Sequence, residues 1–188
     1  MNLVLIGYRG TGKSVVAGVL AARLHMTCVG MDARIVERAG LSIPEIVAKH
    51  GWSHFRDLES AEARALATRD NLVVDTGGGV IERPENIEAL RATGVIIWLK
   101  ASVDVIVARI QGGTQRPSLT PGKTFTEEVS EVLARRTPKY KAAAHDEVDT
   151  DLLTPATVVD RVVAIWNVAQ DRSRVRARNL NEPQIAER

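Results

Sequence analysis

The chain has 188 residues, 45% of them apolar and 26% charged, with a net charge of +2. That suffices for one domain with its own core, and the charge balance implies neither a nucleic-acid partner nor a membrane surface. No apolar run nears the roughly 18 residues of a membrane span, Met1–Gly7 is too short for a signal peptide and the lone Cys28 excludes an intrachain disulfide, so the expectation is a cytoplasmic protein.

Short apolar runs alternate with helical patterns along the chain. The runs are Leu3–Ile6, Thr27–Val29, Leu72–Asp75, Val95–Leu99 and, more weakly, Glu147–Asp149. The first, third and fourth are continuous Val/Ile/Leu stretches, the pattern of strands buried on both faces. Cys28 sits in an apolar step and is expected to be buried and inert. Helical patterns fall near 13–25, 32–50, 53–69, 85–93, 103–110, 126–143 and 156–169, the last with Val158, Val159, Val162, Val163 and Trp166 on one side. Such alternation predicts a parallel sheet with helices on both faces. Gln111–Lys123 is dense in glycine and proline and long for a connection, which suggests a lid over about 111–124. The polar tail 170–188, with arginines at alternate positions from Arg172 to Arg178, is expected to be disordered. Residues 1–169 then form the single domain.

Leu3–Ile6 runs straight into Gly7-Tyr8-Arg9-Gly10-Thr11-Gly12-Lys13-Ser14, a complete G-x-x-x-x-G-K-[ST]. Glycines let the backbone curl until its N–H groups point at phosphate oxygens. The nucleotide contacts expected here are Gly10, Thr11, Gly12, Lys13, Ser14 and Val15. Lys13 brings charge to the β- and γ-phosphates, the Ser14 hydroxyl can ligate magnesium, and the following helix turns its positive end to the same anion. The motif marks a P-loop protein, a class that includes GTPase switches, motor ATPases and small-molecule kinases; the expectation here is use of ATP and Mg2+ in a three-layer sandwich like that of nucleoside monophosphate kinases. It does not identify the acceptor.

Further patterns follow at set distances. Asp32 comes after the second run, Phe55-Arg56-Asp57-Leu58-Glu59 lies on a helix, and Gly77-Gly78-Gly79 follows Leu72–Asp75. Gly112-Gly113-Thr114-Gln115-Arg116-Pro117 opens the lid segment, and Arg135-Arg136-Thr137-Pro138-Lys139-Tyr140 lies on a later helix. In this order and spacing the chain resembles shikimate kinases from about residue 2 to 169. The resemblance implies a five-stranded parallel sheet with a substrate-binding insert near 31–61. It also implies transfer of the ATP γ-phosphoryl to the 3-hydroxyl of shikimate, in aromatic amino-acid biosynthesis, by an enzyme expected to act as a monomer.

The same resemblance assigns roles. Asp32 would hold the ring hydroxyls and assist proton removal, although by itself it also reads as a helix N-cap. Arg56 and Arg136 would grip the substrate carboxylate with planar forks. Gly77, Gly78 and Gly79 would bring backbone against the substrate, Gly78 most directly. Arg116 would close on the phosphates, and Arg109 would stack on adenine with the Thr150–Pro155 loop, Pro155 included, on its other side.

One departure stands out. Shikimate kinases carry Asp-x-Asp after the second strand, where this chain has Gly30-Met31-Asp32. Asp75, at the end of the third run, is where P-loop proteins keep a magnesium-supporting aspartate, so it is expected to offset the loss without touching the metal, the alternative being that it only hydrogen-bonds the P-loop or caps a turn. Two other readings share the P-loop: another small-molecule kinase, for gluconate or a nucleoside monophosphate, and a nucleotide-binding module with little activity. His25, His50, His54 and His145 are scattered and form no metal-ligand spacing.

Overall fold

The computed structural model describes residues 1–111 and 124–181. Strand β1 (Asn2–Ile6) leads into α1 (Lys13–Leu24) and β2 (Thr27–Gly30), then α2 (Met31–Ala39) and α3 (Ile43–Ala67). β3 (Leu72–Asp75) continues through a single 3-10 turn, Val80–Glu82, into α4 (Pro84–Thr93), β4 (Gly94–Lys100) and α5 (Val103–Gln111). α6 (Phe125–Ala143), β5 (Asp146–Asp149) and α7 (Pro155–Asn181) complete the chain.

The strands form one five-stranded parallel sheet in the order β2-β3-β1-β4-β5, as the sequence predicts. The continuous apolar runs are explained by burial on both sides. Leu3 and Leu5 pack under α1 and α7 with Val16, Leu20, Val162 and Trp166. Val4 and Ile6 point the other way, toward Ala63 and Leu66 of α3, Leu90 of α4 and Tyr140 of α6. Residues 31–61 enclose a small core of their own around Ile35, Ile46 and Phe55.

Three expectations need correction. The pattern read as one helix over 32–50 is two, because Gly40 ends α2 in the left-handed conformation (φ 64°) and Ser42 opens α3 through a capping box with Glu45. A second break follows inside α3 at Gly51 (φ 82°). α7 extends to Asn181, past the end set at 169, so residues 170–181 are helical; the side chains from Asp171 to Val175 are all exposed. Cys28 is exposed, since β2 is the edge strand of the sheet. Partial burial and the field of Asp75 raise its thiol pKa.

Gly7 joins the sheet to the loop that follows. Its φ is 145°, and a Cβ there would lie 2.3 Å from the Leu99 carbonyl oxygen at the end of β4. Gly7→Ala must therefore shift backbone against backbone, at a cost of about 3 kcal/mol or more. Urea unfolding should show that loss together with loss of nucleotide binding; a midpoint equal to wild type would refute the close approach.

Candidate active site

The loop from Gly7 to Gly12 turns on three glycines with positive φ: Gly7, Gly10 (82°) and Gly12 (90°). Inside it Lys13 is only 7% exposed and donates to the carbonyls of Gly7 (2.9 Å) and Tyr8 (3.0 Å). Thr11 fastens the turn by donating from Oγ1 to the Tyr8 carbonyl at 2.8 Å. Burial lowers the pKa of Lys13, while Asp75 and Asp32 pull the other way. Both carboxylates therefore face the same ammonium. Ser14 and Val15 follow on the first turn of α1, exposed beside the loop.

Asp32 starts α2 at the end of β2, and its carboxylate abuts the glycine triplet. A Cβ on Gly77 would lie 2.5 Å from Asp32 Oδ1 and 3.2 Å from Glu59 Oε1. Glu59 is buried and accepts from Arg56, one turn earlier on α3. Burial raises its pKa, Arg56 and Arg136 lower it, and Asp32 raises it further. One carboxylate thus reports on all three side chains expected to hold the substrate. Arg56 fills the space beside Gly79, where a Cβ would lie 2.0 Å from its guanidinium. The indole of Trp52 and the ring of Phe55 lie 5.4 Å from the Arg56 guanidinium carbon.

Arg136 approaches from the other side, on α6. Its Nε donates to Glu82 Oε1 at 2.7 Å, and its guanidinium lies 6.0 Å from the Tyr8 ring centre. Tyr140, one turn on, is fully buried, stacks on Trp98, and donates from its hydroxyl to the Gly78 carbonyl at 2.5 Å. Burial pushes the phenol pKa up, so it remains a donor. On the opposite side of the loop Arg109 donates to the Gly10 carbonyl (3.3 Å) and to Thr150 Oγ1 (3.0 Å) and O (2.7 Å). This ties the phosphate loop to the Thr150–Pro155 segment that opens α7. Arg116 and the rest of the lid segment lie outside the described residues.

Asp75 ends β3 with Leu5 of β1 as its partner on one side and Gly30 of β2 on the other. Gly30 leaves open space: a Cβ there would meet only Ala33 Cβ, at 3.7 Å. Among the described residues the Asp75 carboxylate has no hydrogen bond or ion pair, and its charge acts on Lys13. No cluster of three or more His, Cys, Asp or Glu able to hold a metal occurs among them. No helix among them is long and apolar enough to cross a membrane.

The family model described as shikimate kinase matches residues 9–166. The chain belongs to the shikimate kinase family. It is 43% identical over 167 residues, 87% of this chain and 94% of the relative, to the shikimate kinase of Nitratidesulfovibrio vulgaris. Among solved structures it is similar to the shikimate kinase of Acinetobacter baumannii in complex with shikimate, with 29% identity, a TM-score of 0.80 and coverage of 91% of this chain and 93% of that one. A gluconokinase from Sinorhizobium meliloti shares the fold alone, with 17% identity over 92% of this chain and 95% of that one and a TM-score of 0.55.

Within this family site, two carboxylates went without a role in the sequence reading. Glu59 was part of the motif that carries Arg56, yet only the fold reveals it buried between two arginines. Glu82 lies three residues past the glycine triplet and looks like a surface acid until α6 meets it. The i, i+3 spacing of Arg56 and Glu59 was the one local signal available.

The buried ammonium of Lys13 has a consequence for stability. Its lowered pKa means that the folded protein disfavours this charge, a cost present at neutral pH and relieved only as pH rises toward the ordinary lysine value. Lys13→Met should therefore leave the melting temperature of the ligand-free protein unchanged or higher. It should also abolish the upward shift that ATP produces in wild type. A ligand-free melting temperature lower by about 5 °C would contradict the burial penalty.

Proposed function

We propose that this shikimate kinase transfers the γ-phosphoryl of ATP to the 3-hydroxyl of shikimate, giving shikimate 3-phosphate and ADP. The observation that carries the reading is the convergence of Asp32, Arg56 and Arg136 on one glycine triplet, beside the buried Lys13 of a complete phosphate loop. A compact acid with neighbouring hydroxyls suits that set. Two guanidinium forks take the carboxylate, and a carboxylate that accepts hydrogen bonds takes the hydroxyls.

In the reaction the hydroxyl oxygen attacks the γ-phosphorus, the bond to the β–γ bridging oxygen breaks, and the hydroxyl proton passes toward Asp32. Lys13 and the loop N–H groups from Gly10 to Val15 stabilise the charge on the phosphates, and Arg116 would add to this from the lid. Arg109 stacks on the adenine, with Pro155 at its other face. Backbone at Gly77, Gly78 and Gly79 comes close to the substrate ring.

The donors near Lys13 fit magnesium, a hard cation that takes oxygen ligands and keeps several waters. The Ser14 hydroxyl would hold it directly, and Asp75 would support it through water. Bound there, it would neutralise charge on the β- and γ-phosphate oxygens. Gly30 and Asp75 are register partners on adjacent strands, so a carboxylate lost from one can be supplied by the other. The reading takes the enzyme as a monomer, and its compartment would be the cytoplasm.

An ADP-release assay with shikimate tests the reading. Shikimate-independent ATP hydrolysis, or a preference for gluconate or a nucleoside monophosphate, would overturn it. Within it, Arg136→Ala should raise the KM for shikimate about 30-fold or more while the KM for ATP changes little, the penalty of removing one partner of a half-buried charge pair. Equal losses for both substrates would remove Arg136 from the acid site. Asp75→Asn should weaken ATP binding in the presence of magnesium by roughly 10-fold, read by calorimetry, with no change when magnesium is absent. Adding Gly30→Asp should recover part of the loss. An unchanged magnesium response in folded Asp75→Asn would exclude Asp75 from the metal's surroundings.

A further inference from the structure

Three cations of α6 meet one carboxylate. Arg136 Nε donates to Glu82 Oε1 at 2.7 Å, Lys139 Nζ donates to Glu82 Oε2, and Arg135 reaches Oε1 at 3.5 Å. Glu82 and Arg136 are mostly shielded, with side chains 18% and 14% exposed. Burial works against the charge on Glu82, but the hydrogen bonds from Lys139 and Arg136 outweigh it and hold the pKa at about 2. Glu82 is an anion at every pH at which the enzyme could work.

The position of Glu82 is set by the turn that carries the glycine triplet. Val80 N–H donates to the Gly77 carbonyl (3.3 Å) and Glu82 N–H to the Gly79 carbonyl (2.9 Å). The same turn is fastened to α6 a second time where Tyr140 donates to the Gly78 carbonyl. One turn of α6, from Arg136 to Tyr140, is thus cross-braced to one turn after β3, from Gly78 to Glu82.

We propose that Glu82 is a positioning residue for substrate-acid binding: it holds Arg136 by Nε, beside the Tyr140 hydroxyl, and so fixes the plane of the guanidinium that meets the incoming carboxylate. The proposal rests on the role given to Arg136 under Proposed function. A guanidinium has five N–H donors in a rigid fork, and a contact at Nε fixes its plane. Without Glu82, Arg136 would stand beside Arg135 and Lys139 with only the field of Glu59 to offset their mutual repulsion, and binding would have to order it. Glu82 also offsets the charge of Lys139, which keeps that ammonium from drawing the substrate carboxylate away.

The test is steady-state kinetics on Glu82→Gln, which keeps the shape and loses the charge. The KM for shikimate should rise about tenfold, while kcat and the KM for ATP stay within about twofold of wild type. Glu82→Asp, which restores the charge on a shorter arm, should recover part of the loss. In an Arg136→Ala background Glu82→Gln should add less than about twofold, because the arginine it orients is gone. An unchanged or lower shikimate KM in Glu82→Gln, or a full additional penalty in the Arg136→Ala background, overturns the proposal. If Glu82→Gln fails to fold, Glu82→Asp carries the test alone, and a shikimate KM equal to wild type rejects the idea. Wild-type protein that does not phosphorylate shikimate would instead reject the reading of the site itself, so the two failures are distinct.

Discussion

Lys13 is a cation held nearly out of water at the point where a buried strand turns into a helix, and its surroundings are arranged to tolerate it. Burial alone would favour the neutral amine. Two backbone carbonyls of its own loop and the fields of Asp32 and Asp75 act in the other direction. The three positive-φ glycines let the loop wrap the ammonium, and the parallel sheet delivers the two carboxylates. β2 and β3 both end at the edge where β1 enters the loop, so residues just past their C-termini face the same crevice. The fold positions the phosphate-binding charge first, and the acceptor side is assembled around it.

The strands were legible because burial on both faces leaves a continuous apolar run. Leu3 and Leu5 go to one layer of helices and Val4 and Ile6 to the other, so no alternation is visible. The break between α2 and α3 was harder to see, although Ser42, Pro44 and Glu45 spell a helix start. The helical period carries through it, because Ile35 and Ile46 belong to the same small core. The far end of α7 was not legible for the opposite reason. Residues 171–175 are exposed on every side and so show no apolar period, and only backbone preference, with an exposed pair like Asp171–Arg174, remains to indicate a helix there.

The phosphate loop, Asp32, Arg56 and Arg136 were legible as candidates because each falls within the order and spacing of the motifs, and Arg109 through the resemblance alone. The glycine triplet was read as room for substrate, and the structure adds a reason internal to the protein. Gly79 makes space for the Arg56 guanidinium and Gly77 for the Asp32 carboxylate. The pairing of Glu82 with Arg136 was not legible, since it is a tertiary pair that no local spacing encodes, and that of Glu59 with Arg56 had only its i, i+3 spacing to show it. Arg9 is similar. Within the loop motif it occupies a variable position, yet its guanidinium lies 5.3 Å from the Phe125 ring centre and 3.8 Å from Glu128, joining the phosphate loop to the start of α6.

Each site cation described here already has an opposing charge or a set of carbonyls before any ligand arrives: Arg56 has Glu59, Arg136 has Glu82, Arg109 has Gly10 and Thr150, and Lys13 has Asp32 and Asp75 within its field. This partnership limits what a binding anion must do. It meets donors whose planes are set, so little of its interaction energy goes into ordering long side chains or separating like charges. The partners differ in one respect that bears on chemistry. Glu59 and Glu82 are engaged by arginine, whereas the Asp75 carboxylate has no hydrogen bond among the described residues and borders the open space left by Gly30. A carboxylate kept near a buried ammonium, unpaired and beside room for solvent, remains available to a cation that arrives with its own water. In the proposed reading the substrate side would thus be set in advance by paired charges, while the nucleotide side would keep one acceptor open for a ligand that comes with metal.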